Sequence, residues 1–390
     1  MKILYHHRIR SKDGQYVHLE ALVRALEARG HEVILVGPRV VARERFGADA
    51  GWVAWMKRRV PAALYELLEF AYGLWDFLRL YGAALRHRPD ALYERYNLYT
   101  LGGLWVKRLC RLPLVLEVNS PVCARRAEYD GIALARFAKW TENAVWRGAD
   151  RVLPVTRVLA DILERDGVAP ERIAVVPNGI DPAAFSGAPA RQAAKAALGV
   201  DGATVLGFVG FMRDWHGLDR LIERLRAAER DDWRLLIIGD GPARERLQAL
   251  AGADPRIRFL GLVERDALPR HLAAFDIALQ PDVVEYASPL KLFEYLYMGC
   301  AVVAPDRANL REVLRHEDNA LLCPAGDGAA LLAAVERLLD DPVLRARLGR
   351  AARATIENRR LYWSENARRV EALFHELGAG VAVAEGGGGR

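Results

Sequence analysis

The feature that most constrains this chain is a rhythm in which short apolar runs alternate with longer helical patterns, and the rhythm occurs twice. In the first half the predicted strands are Lys2–His6, Glu32–Gly37, Ala91–Glu94, Leu114–Val118, Arg151–Val155 and Ile173–Val176. Between the first two, Leu19, Leu22, Val23 and Leu26 fall at helical spacing, and Gly30 ends the pattern. The second half repeats the scheme with Thr204–Val209, Arg234–Ile238, Ile257–Leu260, Ile277–Leu279, Ala301–Ala304 and Ala320–Leu322. Strands separated by helices pair in parallel and need cover on both faces. The expected fold class is therefore α/β, with two doubly wound parallel-sheet domains facing a cleft at the carboxyl ends of their strands. The Ala-rich polar stretch from Pro182 to about Ala196 reads as a linker.

Composition narrows the function. A chain of 390 residues with 52% hydrophobic content has ample material for two or three cores. A net charge of +6 is too mild to imply nucleic acid without a clustered basic stripe. Cys110, Cys123, Cys300 and Cys323 are scattered without metal-ligand spacing, which suits reduced thiols in the cytoplasm. Met1-Lys2 leads straight into a strand with no signal-peptide pattern. The longest apolar-looking segment, Pro61 to Leu85, contains Glu66, Glu69 and Asp76, which argues against a membrane span. Lys57, Arg58 and Arg59 precede it, and Trp52, Trp55, Phe70, Trp75 and Phe77 lie in or near it. That combination suits peripheral contact with an anionic membrane, at the inner face if the chain is cytoplasmic; the alternative is an ordinary packed amphipathic helix.

The chemistry concentrates at Ser288-Pro289-Leu290-Lys291-Leu292-Phe293-Glu294. Ser288 is expected as a helix N-cap and Pro289 at the first helical position. The open amides of that turn, with Lys291 beside them, make an anion site. Glu294, one turn on, is placed to accept from a diol such as ribose. Phosphate donors beside a diol acceptor suggest a nucleoside diphosphate.

Other motifs stand in a definite order around it. Gly210-Phe211-Met212-Arg213-Asp214-Trp215-His216-Gly217, Gly239-Asp240-Gly241-Pro242, Phe259-Leu260-Gly261-Leu262-Val263 and Gly299-Cys300-Ala301 all sit at strand–helix junctions. Earlier come Asp13-Gly14-Gln15, Tyr93-Glu94-Arg95-Tyr96, Leu116-Glu117-Val118-Asn119-Ser120-Pro121 and Val176-Pro177-Asn178-Gly179-Ile180-Asp181. In this order they resemble retaining glycosyltransferases of family 4, of the GT-B fold and bacterial surface-polysaccharide type, over roughly Met1 to Leu373. The resemblance implies a Rossmann-like acceptor-side domain over 1–182 and a Rossmann-like donor domain over 183–361. A crossing helix over 362–377 then returns to the first domain, and a disordered tail spans 378–390.

The resemblance also implies roles. Arg213 and Lys291 would stabilise the leaving diphosphate, with amides near Ser288, Pro289 and Leu290 and the Gly14 loop assisting. Glu294 would hold the ribose, and the base of a UDP- or GDP-sugar would lie against Gly261 and Val263. Gly210, His216 and Gly239 would line the donor site. His18, Arg95, Arg125 and Arg126 are acceptor-side candidates, with Arg95 and Arg126 able to grip a lipid phosphate or charged sugar. Three departures from the family pattern stand out. Tyr286 occupies a position often held by glutamate, with Glu285 one residue out of register. Phe211 and His216 replace basic residues. Asn119 stands where a histidine is common; it can hydrogen-bond a sugar but cannot act as a base.

The expected function is thus a retaining, metal-independent transfer of a sugar from a nucleotide sugar to a glycan or lipid-linked acceptor, without a resident cofactor. Cell-surface or exopolysaccharide synthesis is the expected setting. The alternatives are a sugar-nucleotide epimerase or hydrolase of the same fold, or a non-catalytic nucleotide-sugar-binding protein. A nicotinamide dehydrogenase is disfavoured because no Gly-x-Gly-x-x-Gly follows the first strand.

Overall fold

A computed structural model of the chain describes residues 1–10, 14–38, 59–129, 131–227, 229–280 and 282–380. The chain divides into two compact units, one of Met1–Pro177 with Ser364–Arg390 and one of Asn178–Trp363. Trp52, Trp55, Lys57 and Arg58, Asp13 of the glycine loop, and residues 381–390 of the expected tail lie outside the described residues.

The first unit carries strands β1 (Lys2–His6), β2 (Glu32–Val36), β3 (Ala91–Arg95), β4 (Leu114–Val118) and β5 (Arg151–Pro154) in the order β2-β1-β3-β4-β5. Every pairing is parallel. β3 and β4 are buried at every position, as strands covered on both faces must be. The expected strand Ile173–Val176 is absent as such. It touches β5 through a single bridge, Val152 to Ile173, and through Ala174 and Val176 amides donating to Val152 and Pro154 carbonyls. Pro154 has no N–H to return a bond, so the ladder stops there.

The second unit carries β6 (Thr204–Val209), β7 (Trp233–Ile238), β8 (Ile257–Gly261), β9 (Ile277–Leu279), β10 (Ala301–Asp306) and β11 (Ala320–Pro324), in the order β11-β10-β9-β6-β7-β8. All pairs are again parallel. The order reverses between β6 and β9, the switch point where such sheets bind ligands. Alternate residues of β6 and β7 feed separate cores: Leu206, Phe208, Leu235 and Ile237 on one face, Val205, Leu236 and Ile238 on the other.

The stretch after Pro182 is not a loose linker. Phe185 enters a core, and helix Arg191–Ala197 places Lys195 2.5 Å from Asp276, whose carboxylate also accepts from the Val205 amide. Ala194 of this helix packs against Ala273 and Ala274, a contact that local composition alone does not reveal. At the other end, helix Pro342–Asn358 stops and helix Trp363–Glu376 begins after a short break. The latter is tied within the first unit by Asn366 donating to the Pro177 carbonyl and by Glu371 pairing with Arg29 and His31.

Candidate active site

In the second unit the site grows from the carboxyl end of β6. Gly210 and Gly239 follow β6 and β7 with φ of 144° and 126°. A Cβ on Gly239 would stand 2.0 Å from the Gly210 carbonyl oxygen, so the two corners pass with no room for a side chain. A Cβ on Gly210 would approach the Lys291 Nζ at 3.2 Å; the glycine leaves the space that the ammonium uses.

Lys291 lies on helix Leu290–Tyr297, which is fixed to β6 by the Val209 amide donating to the Tyr295 hydroxyl at 2.8 Å. Its Nζ stands 4.2 Å from the centroid of the Phe208 ring, and the His216 ring packs on the same phenyl at 5.4 Å. The Arg213 amide donates to His216 Nδ1 at 3.3 Å, which leaves the N–H of the neutral ring on Nε2. Burial, then the charges of Lys291 and Arg213, lower the His216 pKa to about 3. The ring is therefore neutral, and Nε2 is a donor without charge. Burial lowers Lys291 to about 7, with Glu294 only partly opposing it. Lys291 and His216 thus sit together on Phe208, while the Arg213 guanidinium lies over the neighbouring Phe211 ring at 4.8 Å. Two cations beside a neutral N–H donor suit an anion.

Glu294 is buried, and its carboxylate meets the Arg265 guanidinium at 2.5 Å. Arg265 follows Gly261 and Val263 in the loop expected to meet the base. Sequence reasoning gave it no role; a buried carboxylate needing a partner was the available signal.

Ser288 corrects one expectation. The helix starts at Leu290, and Pro289 (φ −70°, ψ 122°) is its N-cap, without a side-chain capping bond. The extended ψ of Pro289 puts Ser288 outside the helix. Ser288 instead accepts the Asn178 amide N–H at 3.3 Å on its hydroxyl and the Asn178 side chain on its carbonyl. The first-turn amides consequently have no side-chain cap, which strengthens the anion-site reading. Glu285 is not drawn into this cluster. Its side chain is 78% exposed in a turn and pairs with Arg307 at 3.2 Å. A cavity of about 280 Å³ in the same unit is lined by Asp214, Asp219, Asp282 and Asp327, a setting that repels a diphosphate.

In the first unit, register aligns the carboxyl ends of β1, β3 and β4: His6 opposite Glu94, and Arg95 opposite Glu117. Glu117, 2% exposed, is the hub. It accepts from Tyr5 at 3.2 Å, Tyr93 at 2.9 Å, Arg95 and Asn119, and His18 Nε2 lies 3.0 Å away. Burial raises its pKa, but the charges of His18 and Arg95 and the bonds from His18 and Asn119 win, holding it far below the usual carboxylate range. Asn119 donates its amide N–H to Glu117, so its oxygen turns the other way, as an acceptor.

Arg95 is therefore not available to grip a lipid phosphate: it is buried and committed to Glu117. Arg126 is bound to Glu69 at 2.9 Å, and Arg125 is exposed. Gly14 is the exposed first residue of helix Gly14–Glu27, and His18, about one turn further on, is buried. Beside the hub, His6 bridges Glu94 through Nδ1 at 2.7 Å and Asp76 through Nε2 at 2.9 Å. Burial would lower its pKa, but hydrogen bonds to Asp76 and Glu94 raise it to about 9. A Cβ on Gly103 would fall 1.9 Å from the Glu94 carboxylate, so this helix position must be glycine. Glu117 and the His6–Asp76–Glu94 cluster were missed as functional elements. Charged residues at the ends of otherwise buried strands were their signal.

Two doubly wound units of these strand orders, with donor groups at the strand ends, define a GT-B glycosyltransferase. Residues 12–184 match the family described as Glycosyltransferase Family 4, and residues 203–341 match the one described as Glycosyl transferases group 1. The chain is 31% identical over 387 residues to a phosphatidyl-myo-inositol mannosyltransferase of Mycobacterium leprae (strain TN), covering 95% of this chain and 96% of that one. It is also 31% identical over 257 residues to a 2-deoxystreptamine glucosyltransferase of Streptomyces kanamyceticus, covering 62% of this chain and 65% of that one. A sucrose-phosphate synthase from Thermosynechococcus elongatus shares the fold with a TM-score of 0.75 at 18% identity, over 97% of this chain and 99% of that one. The chain belongs to glycosyltransferase family 4 and is a glycosyltransferase.

Proposed function

We propose that this enzyme moves a sugar from a nucleoside-diphosphate sugar, UDP- or GDP-linked, to a hydroxyl of a glycan or lipid-linked acceptor, with retention and without a metal. The observation that carries this reading is the convergence of Lys291 and His216 on Phe208, with the Arg213 backbone bonded to His216 and Glu294 one helical turn beyond. A departing diphosphate gathers negative charge, and each fixed donor aimed at it lowers the barrier by roughly 3 kcal/mol. Lys291 supplies a charge that grows as the phosphate restores its proton, His216 a neutral N–H, and Arg213 a cation stacked on Phe211. On the acceptor side, Asn119 offers an oxygen to a sugar hydroxyl, and the Glu117 carboxylate is too fully bonded to take a proton. The leaving phosphate itself is then the base, as front-face substitution requires.

The relatives bear on the acceptor by their names alone: the inositol head group of a phosphatidyl-inositol and 2-deoxystreptamine are both cyclitols, rings with several hydroxyls. A cyclitol or sugar ring at the inner face of the membrane, in surface-glycan synthesis, is the proposed acceptor. The test is a thermal-shift screen of nucleotide sugars, since only a ligand that binds the native state raises the midpoint. The best donor is then incubated with glycan and cyclitol acceptors. Transfer with retained anomeric configuration supports the reading. Free sugar or an epimer appearing without acceptor, or binding without turnover, replaces it.

A further inference from the structure

Helix Ala62–His87 is amphipathic with its polarity reversed. The face packed on the first unit holds Glu66 and Asp76, both buried, with Gly73, Leu80 and Ala84. These carboxylates are anchored: Glu66 accepts from the Tyr99 hydroxyl at 2.7 Å and from the Ala133 and Leu134 amides, and Asp76 from His6. The aromatics Phe70 and Phe77 also turn inward, onto Phe137 and Trp105. Docking the helix by its polar side leaves its apolar side outward.

That outer side is continuous. Leu64, Leu67, Leu68, Leu74, Trp75, Leu78 and Leu85 are each 42% to 58% exposed and recur at helical spacing. Every exposed residue of the helix is either apolar or an arginine, Arg79 and Arg86, and Arg59 and Arg88 stand exposed at its two ends. A helix of 26 residues is about 39 Å long. An apolar stripe of that length is far more than scattered surface leucines, and soluble proteins seldom leave one uncovered. No helix among the described residues is long and apolar enough to cross a membrane.

We infer that this face lies in the interfacial layer of an anionic lipid bilayer, the leucines and Trp75 entering the acyl boundary while the arginines meet lipid phosphates. Charge selects this occupant: Arg86 on the face and Arg59 and Arg88 at its ends are exposed. Arg79 is held by the Gly37 carbonyl and Asp76, and the partly exposed Glu69 is neutralised by Arg126. The face therefore complements an anionic surface and would repel a second copy of itself. The inference rests on the membrane-side acceptor proposed above. It is tested without turnover, so the two can fail separately.

The experiment is sedimentation of the full chain with phosphatidylcholine vesicles and with vesicles of equal parts phosphatidylcholine and phosphatidylglycerol. The wild type should sediment with the mixed vesicles and much less with the neutral ones, with release by salt. The double substitution Leu67→Glu, Leu78→Glu should lower partitioning by about a hundredfold. It should leave the thermal midpoint and nucleotide binding unchanged, because both positions point outward. Undiminished sedimentation of the variant overturns the inference, as does equal binding to neutral vesicles. A chain that ignores vesicles and forms a dimer split by the same substitutions overturns it in favour of self-association.

Discussion

His18 Nε2 lies 3.0 Å from Glu117 Oε2, joining the second turn of the first helix to the carboxyl end of β4. The bond places the proton of that nitrogen toward Glu117 and fixes the orientation of the ring. Because the same carboxylate receives Asn119, Arg95, Tyr5 and Tyr93, one buried charge orients the side chains at the carboxyl ends of β3 and β4.

Replacing Glu117 with Gln should therefore cost far more than a surface change. It keeps the shape but removes the charge facing Arg95 and adds an N–H donor among donors. The expected loss is about 3 kcal/mol in unfolding free energy, the scale for breaking a buried pair. Urea denaturation measures it; a loss below about 0.5 kcal/mol, the size of a surface substitution, would show the hub to be dispensable.

The His6 cluster gives stability a pH signature. Its folded pKa of about 9 lies above the ordinary 6.5. Its stabilisation is then fully present below pH 6.5 and is lost as pH rises to 9. The whole effect is on the order of 3 kcal/mol. The difference in unfolding free energy between wild type and His6→Gln, followed from pH 6 to pH 9.5, should shrink along that window. A constant difference would mean that His6 is not charged when buried.

Lys291 works in the opposite sense. Burial takes its pKa from 10.5 down to about 7, so the cost of burying the ammonium is present below pH 7 and is relieved as pH rises toward 10.5. A bound diphosphate restores the charged form, so nucleotide binding at pH 8 should take up a proton. Calorimetry of UDP or GDP at pH 8 in buffers of different ionisation enthalpy reads this uptake directly, and it should be absent in Lys291→Met. No buffer dependence at pH 8 would place the lysine away from the phosphates.

Arg265 pairs with Glu294, so a ribose held by Glu294 as proposed would compete with a guanidinium for the same carboxylate. Arg265→Ala should change UDP or GDP affinity by several-fold in either fluorescence or calorimetric titration. Identical affinity would remove Arg265 from the nucleotide site.

Periodicity exposed the architecture because apolar runs at strand spacing and at helix spacing are local signals. It failed at Ile173–Val176, where the missing N–H of Pro154 on a neighbouring strand decides the pairing. It failed again at Ser288, whose partner Asn178 lies 110 residues earlier in the chain. The grouping of Gly210, His216 and Lys291 was legible because each belongs to a short motif at a strand end. The Glu117 hub was not, since its meaning depends on β1, β3 and β4 lying side by side. Arg95 shows the same limit: its charge is visible in the sequence, while the buried carboxylate that consumes it is not.

The central claim, that the start of helix Leu290–Tyr297 holds a nucleoside diphosphate, is tested most directly by calorimetric titration of UDP and GDP into wild type and Lys291→Met. Methionine keeps the packing on Phe208 and removes only the ammonium. Saturable binding of one of the two nucleotides to the wild type is expected, with a loss of at least about tenfold in the variant, as for a lost charged hydrogen bond. Equal affinity in both proteins would contradict it.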